Sequence, residues 1–228
     1  MIVIDHICLA VQNVYEGSQR LYEETGLGNY EGGWFPGLGL ANRIVPLGGD
    51  AYIEVEGVVD AYAVGKYEAA NWFNSCVADG DVYIGWSARV DTKAELEALA
   101  RRLDSEVYDS VIRVRPDGAR RPSYRTPDTI TCWKAGLPNF FCLEAMEHHP
   151  ARQEVSRPHA SQPGGIAWME VGGTAEEMSD WLGIRAETIG LKFNGRAPGL
   201  YAVAVRMGDR EMVIRRPAAL LGGAAPAP

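Results

Sequence analysis

The chain has 228 residues, 46% of them apolar, and a formal net charge of -8. At roughly 150 residues per domain, this length allows one large or two small domains, each with a proper core. No apolar run approaches the ~18–20 residues of a membrane span, and no basic face marks a nucleic-acid binder.

The opening MIVIDHICLAV is interrupted by Asp5 and His6. It has neither a basic start nor a small-residue cleavage site, so it reads as a first strand rather than a signal peptide. Residues 2–11 alternate like a strand, and Val11 is followed by Asn13 and Glu16. The same signature returns twice. Residues 82–90 lead through Val90 to Thr92 and Glu95, and residues 166–171 lead through Val171 to Thr174 and Glu177. A short polar side chain with Glu three residues on is a capping-box signal, so a helix is expected after each run. Leu96, Leu99 and Leu103 carry helical spacing in the second, while Gly26 and Gly183 supply left-handed helix ends.

Each helix is followed by strand-like runs joined at turns. ANRIVPL and AYIEVEGV flank Gly48-Gly49-Asp50, TITCWKA and NFFCLEAM flank Gly136-Leu137-Pro138, and LYAVAVRM and EMVIRR flank Gly208-Asp209. These read as hairpins. The repeating unit is thus strand, helix, strand, strand, strand, and the fold class is α+β. Paired βαβββ modules are expected over 1–147 (1–57 and 81–147), with a shorter third module over 165–217. Residues 58–80 and 147–164 are connectors, the second rich in Pro, Ser and Gln and the more mobile. Residues 218–228 form a disordered tail. Two units can cover each other's bare sheet faces; a third is left over, which suggests a homodimer. Arg113, Arg115, Arg120, Arg121 and Arg125 read as a solvated hairpin edge rather than a phosphate track. Cys8, Cys76, Cys132 and Cys142 show no Cys-x-x-Cys spacing and read as reduced thiols of a cytoplasmic protein.

Strand alternation selects the site residues. His6 shares a face with Ile4, Cys8 and Ala10; Glu54 shares one with Tyr52 and Glu56; Glu144 shares one with Phe140, Cys142 and Met146. Aligning hairpins makes Glu54 and Glu144 equivalent, and aligning first strands sets Gly85 opposite His6. A carboxylate amid apolar neighbours needs a partner or a cation, so Glu144 is either a hydrogen-bonded core residue or functional. Two carboxylates and one imidazole suit a divalent metal (Zn, Ni, Mn, Fe or Mg) with an open water position, or the site holds none. Glu144 and Glu54 are also the candidate proton carriers. Of Asn42 and Arg43 only one can face inward; Arg43 suits a carboxylate or enolate oxygen. Arg89 shares a face with Gly85 and Ser87 and could fill part of the space opposite His6. Trp34, Trp86 and Trp133 are candidate apolar walls or simply core. His148, His149 and His159 are exposed connector residues or substitute ligands.

The segments IDHICLAVQNV, FPGLGLANRIVPLG with AYIEV, IGWSARVDT, RPDG and FFCLEAMEHHPAR, in that order, resemble the vicinal-oxygen-chelate superfamily, and within it the glyoxalase-like domain branch. The resemblance covers residues 2–152, and the third unit resembles the extra module of that branch. It implies one metal ligand from the first strand and one from the last strand of each unit. His6, Glu54 and Glu144 match three such positions; the fourth is Gly85, which cannot ligate. Extradiol dioxygenase chemistry is disfavoured because its second His is missing. Two functions follow as expectations. One is a metal-dependent isomerase or lyase acting on a small carbonyl compound through an enediolate. The other is a metal-free protein that binds a small molecule.

Overall fold

The computed structural model describes residues 1–110, 115, 116, 118 and 122–219. In chain order, β1 (Val3–Asn13), α1 (Val14–Thr25), β2 (Tyr30–Phe35), β3 (Leu40–Gly48) and β4 (Ala51–Val58) form the first βαβββ module. The helices α2 (Ala61–Val64) and α3 (Glu68–Cys76) follow. The second module comprises β5 (Val82–Arg89), α4 (Lys93–Arg102), β6 (Tyr108–Asp109), β7 (Ser123–Thr126), α5 (Thr129–Lys134) and β8 (Asn139–Leu143). The third holds β9 (Ile166–Val171), α6 (Ala175–Leu182), β10 (Leu191–Phe193), β11 (Leu200–Met207) and β12 (Arg210–Arg215).

The helices start and stop where capping chemistry requires. Asn13 accepts from the amides of Tyr15 and Glu16, Thr92 and Glu95 close a reciprocal capping box, and Thr174 accepts from the amide of Glu177. Each such cap is worth about 1 kcal/mol. Gly26 and Gly183 end α1 and α6 at φ 70° and 71°, a region that side-chain-bearing residues avoid.

Modules one and two join through β1 and β5 into one eight-stranded sheet, ordered β2-β3-β4-β1-β5-β8-β7-β6. Its outer face, with Ile7, Leu9, Ile53 and Trp86, packs on α1 and α4. The third module shares that same core through Met169, Val171, Val203 and Val205. It therefore covers the chain's own sheet, so the unpaired third unit that motivated a homodimer does not arise. Its strand order, β10-β9-β11-β12, also differs from that of the first two modules, because β9 sits inside the sheet between β10 and β11. Arg102 fastens it by donating to the carbonyls of Asp180 and Trp181.

Three expectations are corrected. TITCWKA is not a strand: Asp128 caps it by accepting from the amide and hydroxyl of Thr131, and residues 129–134 form α5. The strand preference of Thr, Ile, Cys and Trp yields to the local cap and to the burial of Trp133. β8 pairs instead with β7. The connectors are ordered parts of the structure. Val64, Ala70 and Phe73 of α2 and α3 cover part of the inner sheet face, and the second connector binds back through Arg157 N to Asn29 O and Ala160 N to Gly26 O. Finally, the C-terminal segment is docked at its start, since Pro217 O and Ala219 N both bond to the backbone of Tyr83. Residues 220–228 of the expected tail, and Arg113, Arg120 and Arg121, lie outside the described residues.

Candidate functional site

Register assigns the inner face. Tyr52, His6, Ser87 and Asn139 form one row across β4, β1, β5 and β8, and Glu54, Cys8 and Gly85 form the next. The β1–β5 ladder shifts between Ile4 and His6. A bulge of this kind gives two residues of one strand to a single partner and turns both side chains the same way. Asp5 thereby joins His6 on the inner face.

Asp5, His6 and His149 are wholly buried. Asp5 Oδ1 lies 2.5 Å from His6 Nδ1, and Oδ2 lies 2.9 Å from His149 Nε2 and 3.0 Å from Arg89 Nε. Burial alone would raise the Asp5 pKa. The hydrogen bonds from His149 and His6 outweigh it and hold the carboxyl well below the carboxylate range. An ionised Asp5 accepts the Nδ1 proton of His6 and leaves Nε2 with its lone pair. That nitrogen is buried without a hydrogen-bond partner, 3.9 Å from Glu54 Oε2. The imidazole stacks on Tyr52 at 4.8 Å and meets the edge of Phe141 at 5.6 Å.

Around it the polar groups are linked. Asn42 donates to Glu54, and the Cys8 thiol donates to Glu56 at 3.3 Å. Burial, then the charges of Glu56 and Glu54, push the Cys8 thiol far up, so it is a proton donor and not a thiolate. Arg125 Nη1 donates to Ser87 Oγ at 3.1 Å, and Ser87 donates to Asn139 Oδ1 at 2.7 Å.

His6, Glu54, Asn42 and Arg89 thus converge on the inner face. Others do not. Glu144 lies exposed beyond the end of β8, where it accepts from Tyr124. Its parity is that of Phe140 and Cys142, which pack into the outer core, while Phe141 faces His6. The ladder makes Asn139, not Glu144, the counterpart of Glu54. Cys8 pairs with Glu54 as Ser87 pairs with Asn139, and Val11 and Val90 set Cys8 equivalent to Ser87. The hairpin alignment slipped because α5 occupies the place of the expected strand. Arg43 faces away and donates to Asn29 Oδ1 at 2.7 Å. Trp86 is buried in the outer core and Trp34 is exposed, so neither walls the inner face. Trp133 does, from α5: its indole lies directly on Gly85, where any Cβ would enter the ring, and it donates to Trp86 O at 3.0 Å. The space opposite His6 is therefore filled by Trp133, and Arg89 is committed to Asp5. His148 is exposed, as expected of a connector; His159 is half-buried and accepts from Gly28 N at 2.9 Å.

The residues that the sequence reading missed are Asp5, Asn139, Ser87, Phe141 and Arg125, while His149, expected as an exposed connector residue or a substitute ligand, is wholly buried against Asp5. Ser87 and Arg125 had been noted, but as a neighbour of Gly85 and as part of a solvated edge. The parity of FFCL, counted from Arg89 paired with Phe141, was the signal that could have found Asn139 and Phe141.

The donors do not fit the four-ligand metal set that the resemblance implies. Gly85 is covered by indole, Asn139 stands where a second-module carboxylate would, and Glu144 is on the other face. Among the described residues no three His, Cys, Asp or Glu side chains are grouped to hold an ion. His6 and Glu54 are two of the four.

The Glyoxalase-like domain family matches residues 4–189. Among solved structures, a hypothetical protein from Staphylococcus aureus is similar over 97% of this chain and 89% of its own, at 11% identity and a TM-score of 0.56. Methylmalonyl-CoA epimerase from Mycobacterium tuberculosis matches 62% of this chain and 86% of its own, at 12% identity and a TM-score of 0.43. A triple mutant of 4-hydroxymandelate synthase from Streptomyces coelicolor matches 90% and 59%, at 14% identity and a TM-score of 0.47. No curated protein matches the chain. With a match over most of its length, the chain belongs to the glyoxalase-like domain family.

Proposed function

We propose that the chain is an enzyme of the isomerase or lyase class that moves a proton at the carbon beside a carbonyl group of a small molecule, with His6 as the proton acceptor. The observation that carries this reading is the buried Asp5–His6 pair, whose outer nitrogen has no partner. Asp5 fixes the tautomer, so the basic nitrogen is directed away from it and toward Glu54.

In the step, the C–H bond beside the carbonyl breaks and the proton passes to His6 Nε2. The electron pair of that bond becomes a C=C bond, and the carbonyl electrons move to oxygen. Where that carbon carries a hydroxyl, returning the proton to the former carbonyl carbon while the hydroxyl proton passes to its oxygen completes an isomerisation; where the carbon on the other side carries a leaving group, re-forming the carbonyl expels that group and completes an elimination. Glu54 Oε2, 3.9 Å from Nε2, is close enough to carry the second proton. No step uses a metal, because among the described residues only His6 and Glu54 of the four implied ligands are in place.

A metal-free binding protein is the second reading. It is favoured by the closure of the inner face, where His6 and Asn139 are wholly buried. Incubation with 2-oxo acids, hydroxyketones and hydroxyaldehydes in D2O separates the two. Proton transfer predicts loss of the NMR signal of the proton beside the carbonyl, and its retention in His6→Gln. Binding without exchange by the wild type would leave only the second reading.

A further inference from the structure

We infer that Arg125 and Asn139 form a subsite for a carboxylate, which makes the substrate a small 2-oxo or 2-hydroxy acid. The inference rests on the proton-transfer reading for where the reacting carbon sits, but the subsite is read from separate residues.

Three observations carry it. Asn139 is wholly buried on the inner face; its Oδ1 is taken by Ser87, and its Nδ2 has no partner. A buried amide donor with no acceptor is rare in native structures unless something else completes it. Arg125 is half-buried and stacks over the Phe141 ring at 5.0 Å. It donates one hydrogen bond, to Ser87, and none of the carboxylates among the described residues pairs with it. Ser87 Oγ touches both, so the guanidinium and the amide lie around one hydroxyl.

The chemistry of that corner is therefore donor-rich and cationic. A guanidinium with spare N–H groups beside a free amide N–H matches the two oxygens of a carboxylate. A neutral carbonyl or hydroxyl would leave the charge of Arg125 unmatched. Phe141 sets the geometry: His6 meets its ring edge-on and Arg125 lies over it. An acid held at Arg125 reaches His6 across a single aromatic ring, so a short chain suffices. Asn42 and the Cys8 thiol already serve Glu54 and Glu56, so the acidic side of the face is supplied with donors of its own.

The test is calorimetric titration of the full chain with pyruvate, 2-oxobutyrate and lactate, and with hydroxyacetone, which replaces the carboxylate of pyruvate by a hydroxymethyl group. The subsite predicts that at least one acid binds more tightly than hydroxyacetone. Arg125→Gln should weaken that acid by about tenfold or more, the scale of a lost charge-assisted hydrogen bond. Arg125→Lys should recover part of the loss, Asn139→Leu should weaken binding too, and His6→Gln should keep it. Thermal melts of each variant show that it is folded. The inference is overturned if no acid binds, if hydroxyacetone binds as well as the acids, or if folded Arg125→Gln and Asn139→Leu bind like the wild type. Acid binding without any deuterium exchange would retire the proton-transfer reading and leave the subsite. Exchange on pyruvate that is undiminished in folded Arg125→Gln would retire the subsite and leave proton transfer.

Discussion

His6 Nδ1 lies 2.5 Å from Asp5 Oδ1, although the two residues are consecutive in a strand and would ordinarily point to opposite faces. The register shift between Ile4 and His6 brings them together, and the same carboxylate then binds His149 and Arg89. One irregular strand position thus orients the candidate base, ties down the connector after β8 and neutralises a buried arginine.

Asp5→Asn should be severe. It removes the nearer counter-charge of buried Arg89 and leaves only Asp91, 3.8 Å away, and breaking a buried pair from one side costs about 3–5 kcal/mol. Chemical denaturation should show a loss of that order. A change under about 1 kcal/mol would mean that the cluster is not what holds this corner of the sheet.

The same carboxyl sets an acid limit. Its folded pKa is depressed below the ordinary 3.8, so its contribution is complete above that pH and is lost as pH falls through the folded value. Melting temperature against pH should drop below about pH 4, and the drop should be shallower in Asp5→Asn. Parallel curves for the two proteins would contradict the assignment.

Gly85→Ala should destabilise by about 1–3 kcal/mol, because the added methyl enters the Trp133 indole. Trp133→Ala leaves a cavity and costs about 3–5 kcal/mol alone. In that background the Gly85→Ala penalty should vanish. Additive penalties in the double-mutant cycle would mean that the indole is not what requires the glycine.

Glu144→Ala should leave deuterium exchange and acid binding unchanged, since Glu144 is exposed beyond β8 on the side away from His6. Loss of exchange in this variant would restore it to the site.

Much of this was legible in the sequence. The capping residues Asn13, Thr92 and Thr174 and the helix ends Gly26 and Gly183 are local chemistry, and they locate three helices. Alternation put His6 on the face of Cys8 and Glu54 on that of Tyr52, and left open which of Asn42 and Arg43 points inward. The failures share one cause. α5 lies where a strand was expected, so the hairpin count assigned Glu144 to the place of Asn139 and hid Phe141. Strict alternation would put Asp5 on the face opposite His6, because a bulge has no composition signature. His149 sits in a connector whose burial depends on contacts made across the whole module. Long-range packing, not local preference, decides all three.

If His6 transfers a proton without a metal, deuterium exchange survives a strong chelator. Chelated wild-type protein should exchange the proton beside the carbonyl of a small 2-oxo or 2-hydroxy acid, and chelated His6→Gln should not. Exchange that stops with chelator and returns with added Zn, Ni, Mn, Fe or Mg would contradict metal-free transfer by His6, as would undiminished exchange in His6→Gln.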